Sequence, residues 1–97
     1  MAKEIRWSVR ADRDRIAILE YWANRNKSTV YSNKLNKLFI KKVEALAELP
    51  DSGKPTKNPS VRIKIVRDYL LYYRISANVI DVLTIWDSRR NPKKFKL

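Results

Sequence analysis

The chain contains no cysteine, no histidine and only one glycine among its 97 residues. The lack of cysteine excludes disulfides, a thiolate nucleophile and thiolate metal ligands, and the lack of histidine removes a common metal ligand and the commonest general base. A single glycine also excludes a glycine-rich phosphate-binding loop. Any chemistry would therefore depend mainly on arginine, lysine, carboxylate and hydroxyl groups.

Long hydrophobic runs are also missing. The longest apolar stretches, such as residues 69–73, fall far short of the ~18 residues that a membrane-spanning helix needs. Residues 1–9 alternate charged and apolar side chains and lack the apolar block of a secretory signal. We therefore expect a cytoplasmic protein without membrane contact, and the length predicts a single domain over residues 1–97.

Positive charge is what the sequence has in excess. Lys and Arg number 22 against 10 Asp and Glu, which gives a formal net charge of +12. So high a charge on so small a domain attracts polyanions, such as nucleic acid, a ribosome or a strongly acidic protein. With 44% hydrophobic residues, the chain can nevertheless bury a core.

Periodicity predicts a strand followed by two helices in the first half of the chain. Residues 5–9 alternate apolar and polar side chains, as a half-buried strand does, and a helical period runs from Ala11 to about Asn24. Ser28 or Thr29 can cap a second helix that ends near Leu49, before Pro50. The predicted apolar stripe of this helix comprises Tyr31, Leu35, Leu38, Phe39, Leu46 and Leu49.

The last third of the chain predicts three antiparallel strands, at residues 61–65, 69–75 and 79–86. Residues 67–68 and 76–78 are short enough to be hairpin turns. The first strand is expected to join this meander, because a lone strand leaves its backbone groups unpaired. The sequence thus predicts an α+β fold in β-α-α-β-β-β order, with a two-helix hairpin packed on a four-stranded, mainly antiparallel sheet.

The strongest candidate site is a group of basic residues on the predicted sheet. Arg62 and Lys64 share one side of their strand, opposite an apolar set that we expect to be buried, Val61, Ile63 and Ile65. Arg74 and the pair Arg89–Arg90 are near them in the predicted topology. Such a cationic face suits phosphate oxygens and the charge of a phosphoryl transition state, although a solvated face is the plainer alternative.

Aromatic and acidic residues add less to this site. Tyr69 and Tyr73 share the parity of core positions, whereas Tyr72 shares that of Arg74 and is the aromatic residue to consider for a site. The aspartates at 68, 81 and 87 stand isolated among basic neighbours. We therefore predict no metal site and no cofactor.

Several short motifs follow one another along nearly the whole chain. They are Trp7-Ser8 with Ala11, the helical segments 18–22 and 31–49, Pro50 and Gly53, Val61-Arg62, residues 69–75, and residues 79–92 ending in Asp87-Ser88-Arg89-Arg90-Asn91-Pro92. Their order and spacing resemble the RelE/ParE superfamily of toxins from bacterial type II toxin–antitoxin systems, also known as plasmid stabilisation proteins. The resemblance implies the same fold and a growth-inhibiting toxin that a protein antitoxin neutralises. An acidic antitoxin would suit the positive charge of this chain.

The resemblance leaves two targets open. ParE-type members poison DNA gyrase without enzymatic chemistry, whereas RelE-type members cleave mRNA in the ribosomal A site. If this chain is RelE-like, the resemblance and the basic pattern imply a catalytic set of Arg62, Lys64, Arg74 and Arg89, and an RNA-phosphate-binding set of Arg62, Lys64, Tyr72 and Arg90. The 2′-hydroxyl would then attack its own phosphate, so no metal would be needed.

Two departures from the RelE-type pattern favour the gyrase poison. Leu70 stands where RelE-type members carry a further arginine, and Phe95 stands where their tail carries a tyrosine. The long stretch between the first strand and Arg62 is also typical of ParE-type members. A gyrase poison is the first hypothesis, a ribosome-dependent endoribonuclease is the alternative, and a non-toxic nucleic-acid-binding module is the third.

Overall fold

The computed structural model of this chain describes residues 2–90 and residue 97. The elements in chain order are β1 (Glu4–Trp7), α1 (Val9–Asn26), α2 (Val30–Glu48), β2 (Lys54–Pro55), β3 (Val61–Val66), β4 (Tyr69–Ile75) and β5 (Val79–Asp87). A 3₁₀ turn, Pro50–Ser52, follows α2. The predicted α+β class and element order are confirmed, and the two-residue strand β2 makes the sheet five-stranded where four strands were predicted.

Helix α1 begins two residues before its predicted start, because Ser8 caps it. The Ser8 hydroxyl accepts a hydrogen bond from the Ala11 N–H at 2.9 Å and donates one to the Leu83 carbonyl of β5 at 2.8 Å. Lys27 ends the helix in the left-handed conformation, with φ of 51°. The cap therefore sets both where α1 starts and how its first turn sits against β5.

Helix α2 starts where the sequence predicts it. The Ser28 hydroxyl accepts a hydrogen bond from the Val30 N–H at 3.2 Å, and Leu35, Phe39 and Leu46 are buried. Leu49 is the exception in the predicted stripe, since its side chain is 65% exposed. It lies one residue beyond the helix, where the helical period no longer fixes its direction. No helix in the described part of the chain is long and apolar enough to cross a membrane.

The strand order across the sheet is β1-β5-β4-β3-β2. Strand β1 pairs with β5 in parallel, and all other neighbours are antiparallel. The expected joining of β1 to the meander is thus confirmed. The β4–β5 register shifts by one residue where Tyr72 faces Thr84 and Tyr73 faces Val82, so Leu83 is skipped.

Both helices pack on the same face of the sheet, where the core lies. Tyr69 and Tyr73 are buried there, as predicted. Trp22 of α1 packs against this core and donates its indole N–H to the Tyr69 hydroxyl at 2.8 Å. The fully buried side chains of the core cluster come from all the long elements and include Leu35, Phe39, Val43, Leu46, Leu71, Ile80 and Val82.

The predicted buried face of β3 is wrong for Ile63 and Ile65. Arg62 pairs with Tyr73 and Lys64 with Leu71, and directly paired residues of neighbouring strands share a face. Both cations therefore lie on the helix-facing side, while Ile63 is half-buried and Ile65 is 47% exposed on the other side. The alternation was read correctly, but a pattern within one strand cannot tell which of its two faces the helices cover.

Candidate functional site

The loop that follows α2 is held by a buried tyrosine. The Tyr73 hydroxyl donates a hydrogen bond to the Pro50 carbonyl at 2.6 Å and accepts one from the Gly53 N–H at 3.0 Å. Burial raises the pKa of Tyr73 above its ordinary value, so its hydroxyl stays protonated to a higher pH than that of an exposed tyrosine. A Cβ at Gly53 would lie 2.5 Å from this hydroxyl oxygen, so glycine is required here for space.

Arg62 and Lys64 hold the same loop from β3. Arg62 Nη1 donates to the Gly53 carbonyl at 2.8 Å, and its Nε lies 3.6 Å from the Asp51 carboxylate. Lys64 Nζ donates to the Ser52 hydroxyl at 3.3 Å. Together these residues form what we call the loop cluster: Pro50, Asp51, Ser52, Gly53, Arg62, Lys64 and Tyr73.

Arg74 and Tyr72 lie on the opposite face of the sheet. Arg74 pairs with Val61, and Tyr72 pairs with Ile63, so their side chains share the face that the helices leave uncovered. The sheet therefore separates them from Arg62 and Lys64. The register pairs even-numbered residues of β3 with odd-numbered residues of β4. Arg62 and Arg74 therefore lie on opposite faces of the sheet and do not form the single cationic face that the sequence suggests.

Arg89 and Arg90 follow β5 at the other end of the sheet. The Asp87 carboxylate accepts hydrogen bonds from Arg89 Nε at 3.0 Å, Nη2 at 2.9 Å and the Arg89 backbone N–H at 2.9 Å. These bonds from Arg89 hold the pKa of Asp87 below its usual value and raise that of Arg89. The Arg90 guanidinium lies over the Trp86 ring, 5.8 Å from its centroid.

The loop cluster and the Arg89–Arg90 pair are far apart. Arg62 is opposite Tyr73, whereas Asp87 is opposite Tyr69, so four residues of β4 separate the two positions. At ~3.4 Å per residue that is about 14 Å along the strand, and β4 itself lies between them. The structure therefore divides the predicted site residues into three groups: Arg62 with Lys64, Tyr72 with Arg74, and Arg89 with Arg90.

A cavity of about 370 Å³ lies between α1 and the end of β5. We call it the β5 cavity; it is lined by Arg10, Asp14, Ala17, Ile18, Tyr21, Tyr69, Thr84, Ile85, Trp86, Asp87, Arg89 and Arg90. The Asp14 carboxylate accepts hydrogen bonds from the Thr84 hydroxyl and from the Ile85 N–H, the latter at 3.1 Å. Asp14 thus fastens α1 to β5 next to the register shift and forms one wall of the cavity.

The sequence reasoning missed the α1 side of this cavity. Arg10 and Asp14 belong to the charged first turns of a helix, a pattern that surface helices share, so nothing in the sequence singles them out. No three His, Cys, Asp or Glu side chains in the described ranges are grouped to hold a metal ion. Phe95, which replaces the RelE-type tail tyrosine, lies outside the described residues.

Comparison with known proteins identifies the relatives of this fold. A solved structure described as the chromosomal ParDE toxin–antitoxin system from P. aeruginosa matches with a TM-score of 0.74 and 19% sequence identity, over 87% of this chain and 94% of that chain. A search of curated protein sequences gives no significant match. The sequence model of a family described as the ParE toxin of the type II toxin–antitoxin system, parDE, matches residues 5–92. The chain therefore belongs to the ParE toxin family of type II toxin–antitoxin systems, within the RelE/ParE superfamily, and membership implies an antitoxin partner.

Proposed function

We propose that this toxin stops growth by poisoning DNA gyrase and that it does so as a binding protein, without enzymatic chemistry. The main observation behind the proposal is that the basic residues that a ribosome-dependent nuclease would need lie at separate places on the sheet. Membership of the ParE family points in the same direction. A gyrase poison acts where the chromosome is, so we place the active toxin in the bacterial cytoplasm.

The separation of these basic residues argues against RNA cleavage for a physical reason. A metal-free transfer of the RNA phosphate to the 2′-hydroxyl requires cations that converge on one phosphate, because the negative charge grows at a single centre. Arg62 and Lys64 donate to the backbone and side chain of their own loop, Arg74 lies on the other face, and Arg89 is paired with Asp87. The four cations are thus directed to separate places and do not converge on one phosphate.

The direct test uses purified toxin with gyrase and supercoiled plasmid. We expect loss of supercoiling and accumulation of linear DNA after protease and detergent treatment, the sign of a trapped cleavage complex. A toxin-free reaction and a reaction without ATP give the baselines. Unchanged supercoiling with no cleaved DNA would contradict the gyrase proposal.

A pulse induction in a bacterial host tests the alternative in parallel. Thymidine and amino-acid incorporation are followed side by side over the first minutes, and we expect DNA synthesis to fail first. If translation fails first with cleaved mRNA, the endoribonuclease hypothesis replaces ours. The triple variant R62A/K64A/R89A should then lose toxicity, and Arg62, Lys64, Tyr72 and Arg90 become the RNA-binding candidates.

The same induction experiment also tests the third hypothesis, a protein that binds nucleic acid and is not toxic. A non-toxic nucleic-acid-binding module would leave growth unchanged on induction. It would bind nucleic acid with an affinity that falls steeply with salt, by about one unit of log–log slope for each neutralised phosphate. Growth arrest on induction excludes that reading.

A further inference from the structure

The lining of the β5 cavity is largely aromatic and apolar. Tyr21 of α1 is 51% exposed and Trp86 of β5 is half-buried, and both rings line the cavity together with the buried ring of Tyr69. Ile18 and Ile85 add aliphatic surface. At about 370 Å³, the cavity falls within the volume range of small-molecule sites. The lining therefore favours a compact ligand with an apolar, planar body.

The two carboxylates in the lining are already engaged within the chain. The Asp14 carboxylate accepts hydrogen bonds from the Thr84 hydroxyl and from the Ile85 N–H. The Asp87 carboxylate accepts three hydrogen bonds from Arg89. Both carboxylates thus stabilise the fold, and a cationic ligand would have to compete with these internal bonds.

Two hydrogen-bond donors are placed to recognise a ligand. The Tyr69 hydroxyl accepts from the Trp22 indole N–H at 2.8 Å, so its own proton remains to be donated. The Arg90 guanidinium is exposed and lies over the Trp86 ring, 5.8 Å from its centroid. An arginine held against an aromatic ring presents a planar, charged surface on which a further flat group can stack.

The charges in the lining leave a surplus of one positive charge. Arg10, Arg89 and Arg90 stand against Asp14 and Asp87. Arg89 forms its ion pair with Asp87 at 2.9 Å, and Arg10 already interacts within the chain. The surplus therefore falls to Arg90, and a ligand with a single negative charge would balance the lining.

We propose that the β5 cavity binds a small aromatic carboxylate. The rings of the ligand pack against Tyr21, Trp86 and Ile18, and its carboxylate binds the Arg90 guanidinium, whose planar fork matches the two oxygens. The Tyr69 hydroxyl supplies a further hydrogen bond. This site goes beyond the gyrase proposal, because it concerns a small molecule and does not depend on which target the toxin has.

Two other kinds of anion fit the lining less well. A phosphate monoester carries about two negative charges at neutral pH, against a surplus of one positive charge in the lining. A nucleic acid strand needs cations for successive phosphates, whereas two aspartates stand among the three arginines here. An aromatic carboxylate matches both the single charge and the aromatic lining.

The binding test titrates 2-naphthoate into the full chain at neutral pH and follows the backbone amide signals by NMR. One matched control, 2-naphthamide, keeps the rings without the charge, and the other, decahydro-2-naphthoate, keeps the charge on saturated rings. We expect a Kd on the order of 0.1 mM for 2-naphthoate, with the amide about tenfold weaker and the saturated acid about fivefold weaker. The signals that shift most should belong to residues 17–21 and 84–90.

Two pairs of variants locate the site. Arg90→Met removes the charge over Trp86, and Arg13→Met removes the same charge from an exposed position of α1 outside the cavity. Ala17→Trp adds an indole to the α1 wall of the cavity, and Ala45→Trp adds one at an exposed position of α2. We expect each cavity variant to bind 2-naphthoate about tenfold more weakly than its control, and the amide spectrum of each variant reports whether it is folded.

Several results would overturn the inference. One is the absence of any shift with 2-naphthoate at millimolar concentration. Equal binding of 2-naphthoate and either control compound would refute the class of ligand. Equal affinity within both variant pairs, or shifts centred on the loop cluster, would place the ligand outside the cavity. None of these measurements contains gyrase, so their failure is distinct from failure of the gyrase assay.

Discussion

Two groups of basic side chains lie toward opposite ends of β4, and they differ in what holds their charges. In the loop cluster, Arg62 and Lys64 donate to the chain's own loop, whose fold also depends on the buried Tyr73 hydroxyl. In the β5 cavity, Arg10 of α1 and the Arg89–Arg90 pair after β5 line the wall together with Ile18 and Ile85. The comparison teaches that a cluster of arginines and lysines in sequence does not identify a site until the partners of each cation are known.

The comparison predicts that changes in the loop cluster reduce stability and that changes at the rim of the cavity do not. The largest effect is expected for Gly53→Ala. The new Cβ would meet the Tyr73 hydroxyl oxygen and the Ile63 carbonyl at 2.5 and 2.8 Å, so backbone must move and the hydrogen bonds of Tyr73 are disturbed. We expect a loss of about 3 kcal/mol in the free energy of unfolding, measured by urea denaturation.

Tyr73→Phe should cost about 2 kcal/mol in the same assay. The substitution leaves the Gly53 N–H and the Pro50 carbonyl without their partner in a buried position. Tyr21→Phe is the matched control, because Tyr21 is 51% exposed and its hydroxyl accepts a long bond from Arg25 at 3.4 Å. Equal stabilities of the two variants would mean that the Tyr73 hydroxyl does not hold the loop.

Arg62→Met should cost about 1 kcal/mol of unfolding free energy and leave toxicity unchanged. The variant keeps an apolar stem but loses the bond to the Gly53 carbonyl. Arg74→Met is the control, because it removes the same charge from the exposed face. If Arg62→Met remains fully stable but is no longer toxic, Arg62 is a functional residue and the comparison fails.

Folding stability should decline at alkaline pH because two tyrosines are buried. Burial raises the pKa of Tyr69 and Tyr73 above the ordinary value of 10.0, so the unfolded chain releases these protons before the folded chain does. Their contribution is complete below pH 10 and declines as pH rises from there through the raised pKa values. Thermal unfolding between pH 8 and 11 should show this decline, and Tyr73→Phe should make it shallower; an identical slope would contradict the assignment.

The smallest effect on stability is expected for Arg90→Met. Arg90 is exposed and stacks over Trp86, a contact that the methionine side chain partly replaces. We expect a change within about 0.5 kcal/mol by urea denaturation. A loss as large as that of Arg62→Met would show that the cavity rim, like the loop cluster, supports the fold.

Most of the fold could be predicted from sequence, and so could the family. Helix α2 begins beside Ser28 and ends before Pro50, as its capping and breaking residues indicate. The strand β2 could not be predicted, because two residues including a proline carry no period. Its pairing with β3 depends on the loop that brings residues 54–55 alongside Arg62 and Ile63.

The candidate site was less accessible to sequence reasoning. Parity correctly placed Arg62 with Lys64 and Tyr72 with Arg74, but it did not show that the first pair faces the helices. Arg10 and Asp14 stand at least 70 residues before the β5 positions they accompany, and no local pattern links them. Their association depends on α1 packing across the end of β5.

The sequence by itself determined the element order, which follows from local periodicity and capping residues, and the charge of +12, which follows from composition. It also determined the family, through the order and spacing of its motifs. Tertiary structure decided which face of β3 the helices cover, which cations serve the loop and which ones surround the cavity. The physical reason is that a side chain's hydrogen-bond partners come from segments distant in sequence. An arginine can therefore support the fold in one place and line an open cavity in another.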